Sequence, residues 1–486
     1  MKHKLLLFAL CLAVSLLALL LASTSSPVYA TNFWTDSNIY MTMGRGILAG
    51  KVPYRDLFDH KGPLTFFIYA AGALMDGSGF AGLFVMEVLS LTAVLLAGAA
   101  LLSWTGRGAA WPLLPLISLS AVCCTAFNQG GSAEEFCLPF LAWSAALAGR
   151  QLVGGRQRDA LAFGVCTGML GMIKYTVIGM NAGLFAFWLL HSLRRREGIR
   201  TLLGFAAGVA LAVLPFALYF GAAHAIGAAL DGYLWQNLRY AGEPMSLTGH
   251  LYNALAYLRT QSVINPFPVV LCLLGMAGWV REAALRRSFL LLPAFPVALG
   301  LLLLTVYWGE MAHPYYALVF AAPGILAFLL LPQRSASRLP LRLQTAAFAL
   351  LGLLALPSAL LCCRAPELIR VRREDMPQVH FARIMEEERP GATLLDLTGH
   401  DQGFYLACGT LPVTRYFCDN NLNSEEKKTA LEGYLAEGRT DYVVCAWRTA
   451  GERYEQVAEE DGLFDLASEK HYVLYRRKEV EHGTAP

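Results

Sequence analysis

The chain has 486 residues, 56% of them hydrophobic and only 15% charged, with a formal net charge of +3. Uncharged apolar runs of about 20 residues recur along it, which argues for a bilayer rather than a soluble core. The small net charge shows no nucleic-acid footprint. The eleven cysteines lie mostly in apolar segments without zinc-type CxxC spacing, and read as small packing residues. Cys408 and Cys418, near the C-terminus, are candidates for a disulfide if that region lies outside the cell.

At the N-terminus, Lys2, His3 and Lys4 precede an apolar run over 5–22. Val28-Tyr29-Ala30 resembles a signal-cleavage site, but the run is longer than a usual signal core, so a retained first helix is expected. Further spans are predicted at 80–104, 111–127, 136–150, 160–173, 176–192, 201–222, 265–281, 288–307, 315–331 and 343–362, which with 5–23 makes eleven. Placing Lys2 and Lys4 in the cytoplasm makes every second connection basic: Arg107; Arg150, Arg156 and Arg158; Arg194, Arg195, Arg196 and Arg200; Arg281, Arg286 and Arg287; Arg334, Arg338 and Arg342. That alternation follows the positive-inside rule and puts the region after the last span outside.

Residues 64–75 are too short to span and are expected to lie in the outer interface. The connection 223–264 is long and aromatic, with Tyr233, Trp235, Tyr252 and Tyr257. It reads as a cap over a cavity or as an interfacial aromatic belt. Composition shifts at Arg364. Beyond it, strands are predicted at 393–397, 441–447 and 471–476, and a helix at 424–437 with Ser424 as N-cap. The expected architecture is a polytopic α-helical membrane protein: a transmembrane part, 1–363, with an outer catalytic loop at 24–79, and a small extracytoplasmic α/β domain at 364–486.

The polar residues concentrate on the outer side. Residues 35–64 carry Asp36, Asp56, Asp59, four bases and His60. Glu134 and Glu135 lie in the second outer connection, Lys174-Tyr175 at the third, and Glu310, His313, Tyr315 and Tyr316 in a later one. Ionisable groups at span ends usually face a cavity or a partner. Transfer from a lipid phosphate needs a base for the acceptor hydroxyl and a fixed cation for the leaving phosphate. Asp36 suits the first role and Lys61, stiffened by Gly62-Pro63, the second. The alternatives are a helix cap for Asp36, a snorkelling lysine for Lys61, a structural His313, and a span-end marker for Lys174. Tyr54, Asp59, His60, Glu134, Lys174 and Tyr316 are the other cavity candidates.

The series Asp36-Ser37, Tyr40, Gly44, Gly50, Pro53-Tyr54-Arg55-Asp56 and His60-Lys61-Gly62-Pro63-Leu64 resembles the first outer loop of bacterial GT-C glycosyltransferases. These are similar to protein O-mannosyltransferases and to lipid A aminoarabinose and galacturonic acid transferases. Glu134-Glu135, His313-Pro314-Tyr315-Tyr316 and the soluble tail fit the same resemblance. It implies a plasma-membrane enzyme that transfers a sugar, with inversion, from a polyprenyl-phosphate donor to a glycan, lipid or protein hydroxyl. By it, Asp36 corresponds to the first-loop acid and Lys61 to the lysine at the donor phosphate, with His313 a further phosphate candidate. The second-loop acid is Glu134 or Glu135; Glu135, nearer the next span, is favoured. Ser37 stands where many members have a second acid, which weakens a paired-acid metal site. Some relatives use a divalent cation and others do not, so the resemblance leaves that cofactor open. The rival readings are a transporter or flippase for a lipid-linked substrate, which should show paired halves or broken mid-membrane helices, and a non-catalytic membrane scaffold.

Overall fold

The computed structural model describes residues 2–122, 124–240, 245–309, 313–418, 424–465 and 468–479. Glu310 therefore lies outside the described residues. Up to Cys362 the fold is helical, as expected where lipid offers the backbone no hydrogen-bond partners. Among the described residues, six helical segments are long and apolar enough to cross a membrane: Lys4–Ala22, Ala81–Trp104, Tyr175–Arg194, Gly198–Ala222, Pro266–Leu285 and Leu341–Cys362. Shorter apolar helices occur at Pro63–Met75, Gly108–Val122, Asp159–Ile173, Ala294–Val306 and Pro314–Leu330. Each of the eleven predicted spans overlaps a helical segment, but only these six are both long and apolar enough for a full crossing; Ala133–Gln151 has 19 residues but is not among them.

Proline accounts for several departures from the predicted spans, because it lacks a backbone donor and clashes with the preceding turn. The span expected at 288–307 becomes helical only at Ala294, after Pro293. The span at 315–331 is two 3-10 segments, Pro314–Phe320 and Ala322–Leu330, each with proline in its first turn. The last span divides into Leu341–Leu353 and Ala355–Cys362, with Pro357 just inside the second piece.

Two connections contain helices. Within 24–79 lie α2 (Thr35–Leu48) and, at the short apolar segment expected at 64–75, α3 (Pro63–Met75), numbered after α1 (Lys2–Ala22). Helices α2 and α3 pack closely, because Gly44 has no side chain: a Cβ there would stand 2.6 Å from the Ala70 nitrogen. The stretch 223–264 is largely helical, including Leu247–Ile264, an 18-residue helix capped by the Ser246 hydroxyl.

The C-terminal region forms a four-stranded sheet of β1 (Leu394–Leu397), β2 (Tyr442–Cys445), β3 (Tyr454–Asp465) and β4 (Ser468–Arg477), in the order β1-β2-β4-β3. The β1–β2 pair is parallel and the others antiparallel. Helix Glu425–Glu437 begins as predicted, with the Ser424 hydroxyl accepting from the Lys427 amide. Strand β3 escaped prediction because it is an acidic edge strand without alternating hydrophobicity, formed by pairing with β4. The candidate Cys408–Cys418 disulfide is not formed. Both are free thiols, with Cys408 beside the Met385 sulfur and Cys418 buried.

This sheet region docks on the first connection. The Thr42 hydroxyl donates to Asp401 at 2.6 Å, Arg45 to the Tyr405 carbonyl at 3.1 Å, and the Phe58 amide to the Arg415 carbonyl at 2.9 Å. Residues 24–79 and the C-terminal region thus sit at the same end of the helical bundle. At the far end of Ala81–Trp104, buried Arg107 pairs with buried Glu282 at 2.6 Å and also donates to the Leu329 and Leu331 carbonyls.

Asp401 and Asp396 are both buried at this junction. Burial pushes both carboxyls up, and for Asp396 the charge of Asp401 adds to it. Hydrogen bonds from Thr42 and Gly403 and the nearby Arg45 only partly oppose this for Asp401. The docked state therefore binds more protons than an open one. Its stabilisation is complete below the ordinary carboxylate pKa of about 4 and is lost as pH rises towards neutral. The unfolding temperature of the C-terminal region should fall between about pH 5 and pH 7.5, and Asp401→Asn should flatten that slope. Thermal unfolding at stepped pH, for both proteins in the same detergent, measures the difference.

Candidate functional site

The site is built where α2 begins, α3 begins and three other segments converge. Asp36 lies in the first turn of α2, where a carboxylate is favoured by the helix dipole. It is not the cap: that position is Trp34, with no side-chain capping bond. Asp36 instead accepts from the Tyr40 hydroxyl at 3.2 Å.

Lys61 immediately precedes Gly62, the N-cap of α3. Gly62 is wedged against the end of helix Asp159–Ile173: its amide donates to the Ile173 carbonyl at 3.1 Å, and a Cβ would lie 2.2 Å from the Met172 oxygen. The neighbouring groups fix the same strand of chain. Asp59 accepts from the Lys61 amide at 3.2 Å, the Tyr54 hydroxyl donates to the Lys61 carbonyl at 2.7 Å, and Asn237 donates to the His60 carbonyl at 2.5 Å.

Lys61 Nζ lies 3.5 Å from His60 Nε2 and 5.9 Å from the centre of the Tyr40 ring. Among the described residues, no carboxylate oxygen comes within 4 Å of it to make an ion pair. Burial opposes its charge, but Asp36, Asp59, Tyr316 and Glu134 more than compensate and lift its pKa above the usual lysine value. Buried His60 is held neutral by burial and by Lys61, with His400, Lys174 and Lys427 adding to the effect. The ammonium thus keeps its charge without being neutralised at contact distance.

A second group sits alongside. Glu134 forms a buried ion pair with Lys174, whose Nζ stands 3.5 Å over the Tyr316 ring. His313 stacks on Tyr315 at 5.2 Å between ring centres and meets Tyr316 edge-on at 5.5 Å. Burial lowers the pKa of His313, with Asp36 opposing it. The expected span-end role of Lys174 is thereby replaced by one within this cluster.

Some predicted residues are placed differently. It is Glu134, not the favoured Glu135, that faces Lys174. Ser132 caps helix Ala133–Gln151 by accepting from the Glu135 amide at 2.9 Å, while the Glu135 carboxylate accepts from the Gly131 amide at 2.8 Å. Tyr54 is fully buried in a left-handed conformation, φ 68°, and braces the loop rather than lining a cavity. Asp59 and His60 are buried supports of Lys61.

Other polar groups gave little sequence signal. Glu87, inside an apolar helix, accepts from Ser23 and Ser25 at 2.6 and 2.9 Å. Tyr307 is buried and its hydroxyl has no hydrogen-bond partner among the described residues. It lines an apolar cavity of about 220 Å³ together with Leu258, Cys272, Met276, Leu303 and Phe320. Its ring centre is 6.5 Å from that of Tyr316, so the cavity abuts the ionic cluster. Among the described residues, no group of three or more His, Cys, Asp or Glu is arranged as a metal site.

The fold is shared with solved membrane-protein structures. ArnT from Cupriavidus metallidurans in the apo state matches with a TM-score of 0.59 and 14% identity, over 98% of either chain. The same protein bound to undecaprenyl phosphate matches with a TM-score of 0.57 and 13% identity, over 100% of this chain and 99% of that one. The chain thus shares its fold with ArnT over nearly its whole length. The Archaeoglobus fulgidus oligosaccharyltransferase, in complex with zinc and sulfate, overlaps at 11% identity over 90% of this chain and 68% of that one; its TM-score of 0.39 is too low to weigh. No family model and no curated protein matches the sequence.

Removing one partner of the buried Glu134–Lys174 pair leaves an uncompensated charge. Glu134→Ala should cost about 3–5 kcal/mol of stability. Glu134→Ala with Lys174→Ala should cost less than the two single changes summed, since the residues are in direct contact. A thermal-shift double-mutant cycle on the solubilised protein measures both.

Proposed function

We propose that the protein is a glycosyltransferase that takes a sugar from a polyprenyl-phosphate donor and passes it to an acceptor hydroxyl at the outer face of the plasma membrane. The observation that carries this reading is the Lys61 ammonium, charged, half-buried and, among the described residues, without a contacting carboxylate, near a half-buried carboxylate and an apolar cavity. A sugar joined through a phosphodiester to a long hydrocarbon tail meets all three requirements: its phosphate suits the ammonium, its tail the cavity, and its anomeric carbon an acceptor hydroxyl deprotonated by the carboxylate. The undecaprenyl phosphate held by ArnT, which has the same fold, supports that choice of carrier.

In this assignment the isoprenoid tail enters the apolar cavity and its phosphate reaches the cluster past Tyr307 and Tyr316. Lys61 neutralises the phosphate, with His313 as a second contact. Asp36 removes the acceptor proton as its oxygen attacks the anomeric carbon from the face opposite the phosphate. The C1–O bond to the phosphate breaks, the carrier leaves as the lipid phosphate, and the configuration inverts. Fixed charges at the developing negative charge stabilise the transition state without reorganisation. Glu134 and Lys174 set the potential around Lys61 rather than touching the reacting atoms.

The acceptor class is a glycan, lipid or protein hydroxyl. The N-terminus is assigned to the cytoplasm, and 364–486 to an extracytoplasmic domain resting on the catalytic connection. A transporter is less favoured, because the Lys61 and Glu134–Lys174 cluster and the apolar cavity beside it lie together at one end of the bundle, and no paired halves are visible among the described residues.

Asp36→Asn in membrane preparations should reduce transfer from a polyprenyl-phosphate sugar by about 10²–10⁴-fold, the usual contribution of a general base. Turnover like that of the unmodified protein would remove Asp36 from the mechanism. Lys61→Ala should weaken donor binding while the thermal unfolding profile stays intact. Unchanged donor affinity would refute the phosphate role.

A further inference from the structure

The C-terminal sheet presents an aromatic surface that neither the ionic cluster nor the apolar cavity uses. Trp447 follows β2 and is 70% exposed, whereas large aromatic side chains normally bury most of their surface. It is not a loosely hanging side chain. Lys470 Nζ lies 3.7 Å from its ring centre, and the same ammonium donates to the Thr398 carbonyl. Gly399 passes beneath the ring in a left-handed conformation, φ +103°, where a Cβ would meet the indole at 3.3 Å. The indole is therefore seated on a cation and on a backbone segment that requires glycine, while most of its surface faces outward.

The segment under the ring leads straight to the site. Two residues after Gly399, Asp401 accepts from Thr42 on α2, the helix that carries Asp36. Between them, His400 lies close enough to His60, the neighbour of Lys61, to depress its pKa. Two residues of chain span about 7 Å, and the six residues from Asp36 to Thr42 rise about 9 Å along α2. With the Trp447–Gly399 contact and the Asp401–Thr42 hydrogen bond as the remaining links, Trp447 stands within roughly 30 Å of the proposed base, a distance that an oligosaccharide of several units bridges.

We propose that Trp447, seated on Lys470 and Gly399, is a stacking platform for a pyranose ring of the acceptor. This rests on the glycosyltransferase reading and narrows its acceptor to a carbohydrate-bearing molecule. The apolar face of a pyranose stacks on the indole, and its hydroxyls exchange hydrogen bonds with the polar rim. A bare protein hydroxyl or a lipid without sugars has no such face to offer.

The test uses the full-length protein in nanodiscs and ligand-observed saturation-transfer NMR with two soluble probes, N,N′-diacetylchitobiose and mannotriose. At least one probe should bind with a dissociation constant on the order of millimolar, with saturation strongest at the ring C–H protons. Trp447→Ala should weaken that binding at least about tenfold, and Trp447→Phe should retain part of it. Asp36→Asn should leave it unchanged, so the platform is scored independently of transfer. No binding of either probe, or equal binding by Trp447→Ala, overturns the proposal. So does quenching of Trp447 by brominated lipid, read as the difference from Trp447→Phe, because it would assign the indole to the membrane surface.

Discussion

A charged lysine that is half-buried yet, among the described residues, has no carboxylate at contact distance is the constraint on which this end of the protein depends. The protein holds Lys61 there by fixing its backbone on every side. Gly62 is locked against the carbonyls of Met172 and Ile173, and the Asp59 carboxylate, the Tyr54 hydroxyl and the Asn237 amide each bind a backbone group of His60 or Lys61. The charge is then sustained by carboxylates that surround it without touching it. Such an arrangement is costly to assemble in a weakly polar setting and is preorganised for an incoming anion.

The same logic links the membrane part to the sheet region. Helix α2 carries Asp36 at one end, and Thr42 and Arg45, which hold the Asp401–Tyr405 segment, further along. Whatever moves the C-terminal region therefore pulls on the helix that bears the carboxylate. Asp396 and Asp401 place titratable groups at that junction. The Arg107–Glu282 pair ties the other end of the bundle, where Arg286 also binds Glu282 and Arg150 pairs with Asp159.

Much of this was legible in the sequence. Charged residues stand out in a chain with so few of them, which is why Asp36, Lys61, Lys174 and His313 could be singled out. Long apolar runs located the helices, and the buried strands β1 and β2 declared themselves by hydrophobicity. Helices α2 and Leu247–Ile264 were harder to read, because their polar residues interrupt the apolar pattern and make them resemble loops. Glu87 and Tyr307 were invisible for the opposite reason: one polar atom in an apolar helix does not alter its pattern.

The sequence by itself determined the helical membrane architecture, the charged first connection and a sheet-bearing C-terminal region, because hydrophobic periodicity and charge placement are local properties of the chain. Only the tertiary structure decided which polar atoms meet. Glu134 and Glu135 are adjacent and chemically alike, yet about 100° apart around their helix. Ser132 and Gly131 engage Glu135, and Lys174, brought from another helix end, engages Glu134. That choice depends on contacts between segments distant in sequence, which no local pattern encodes.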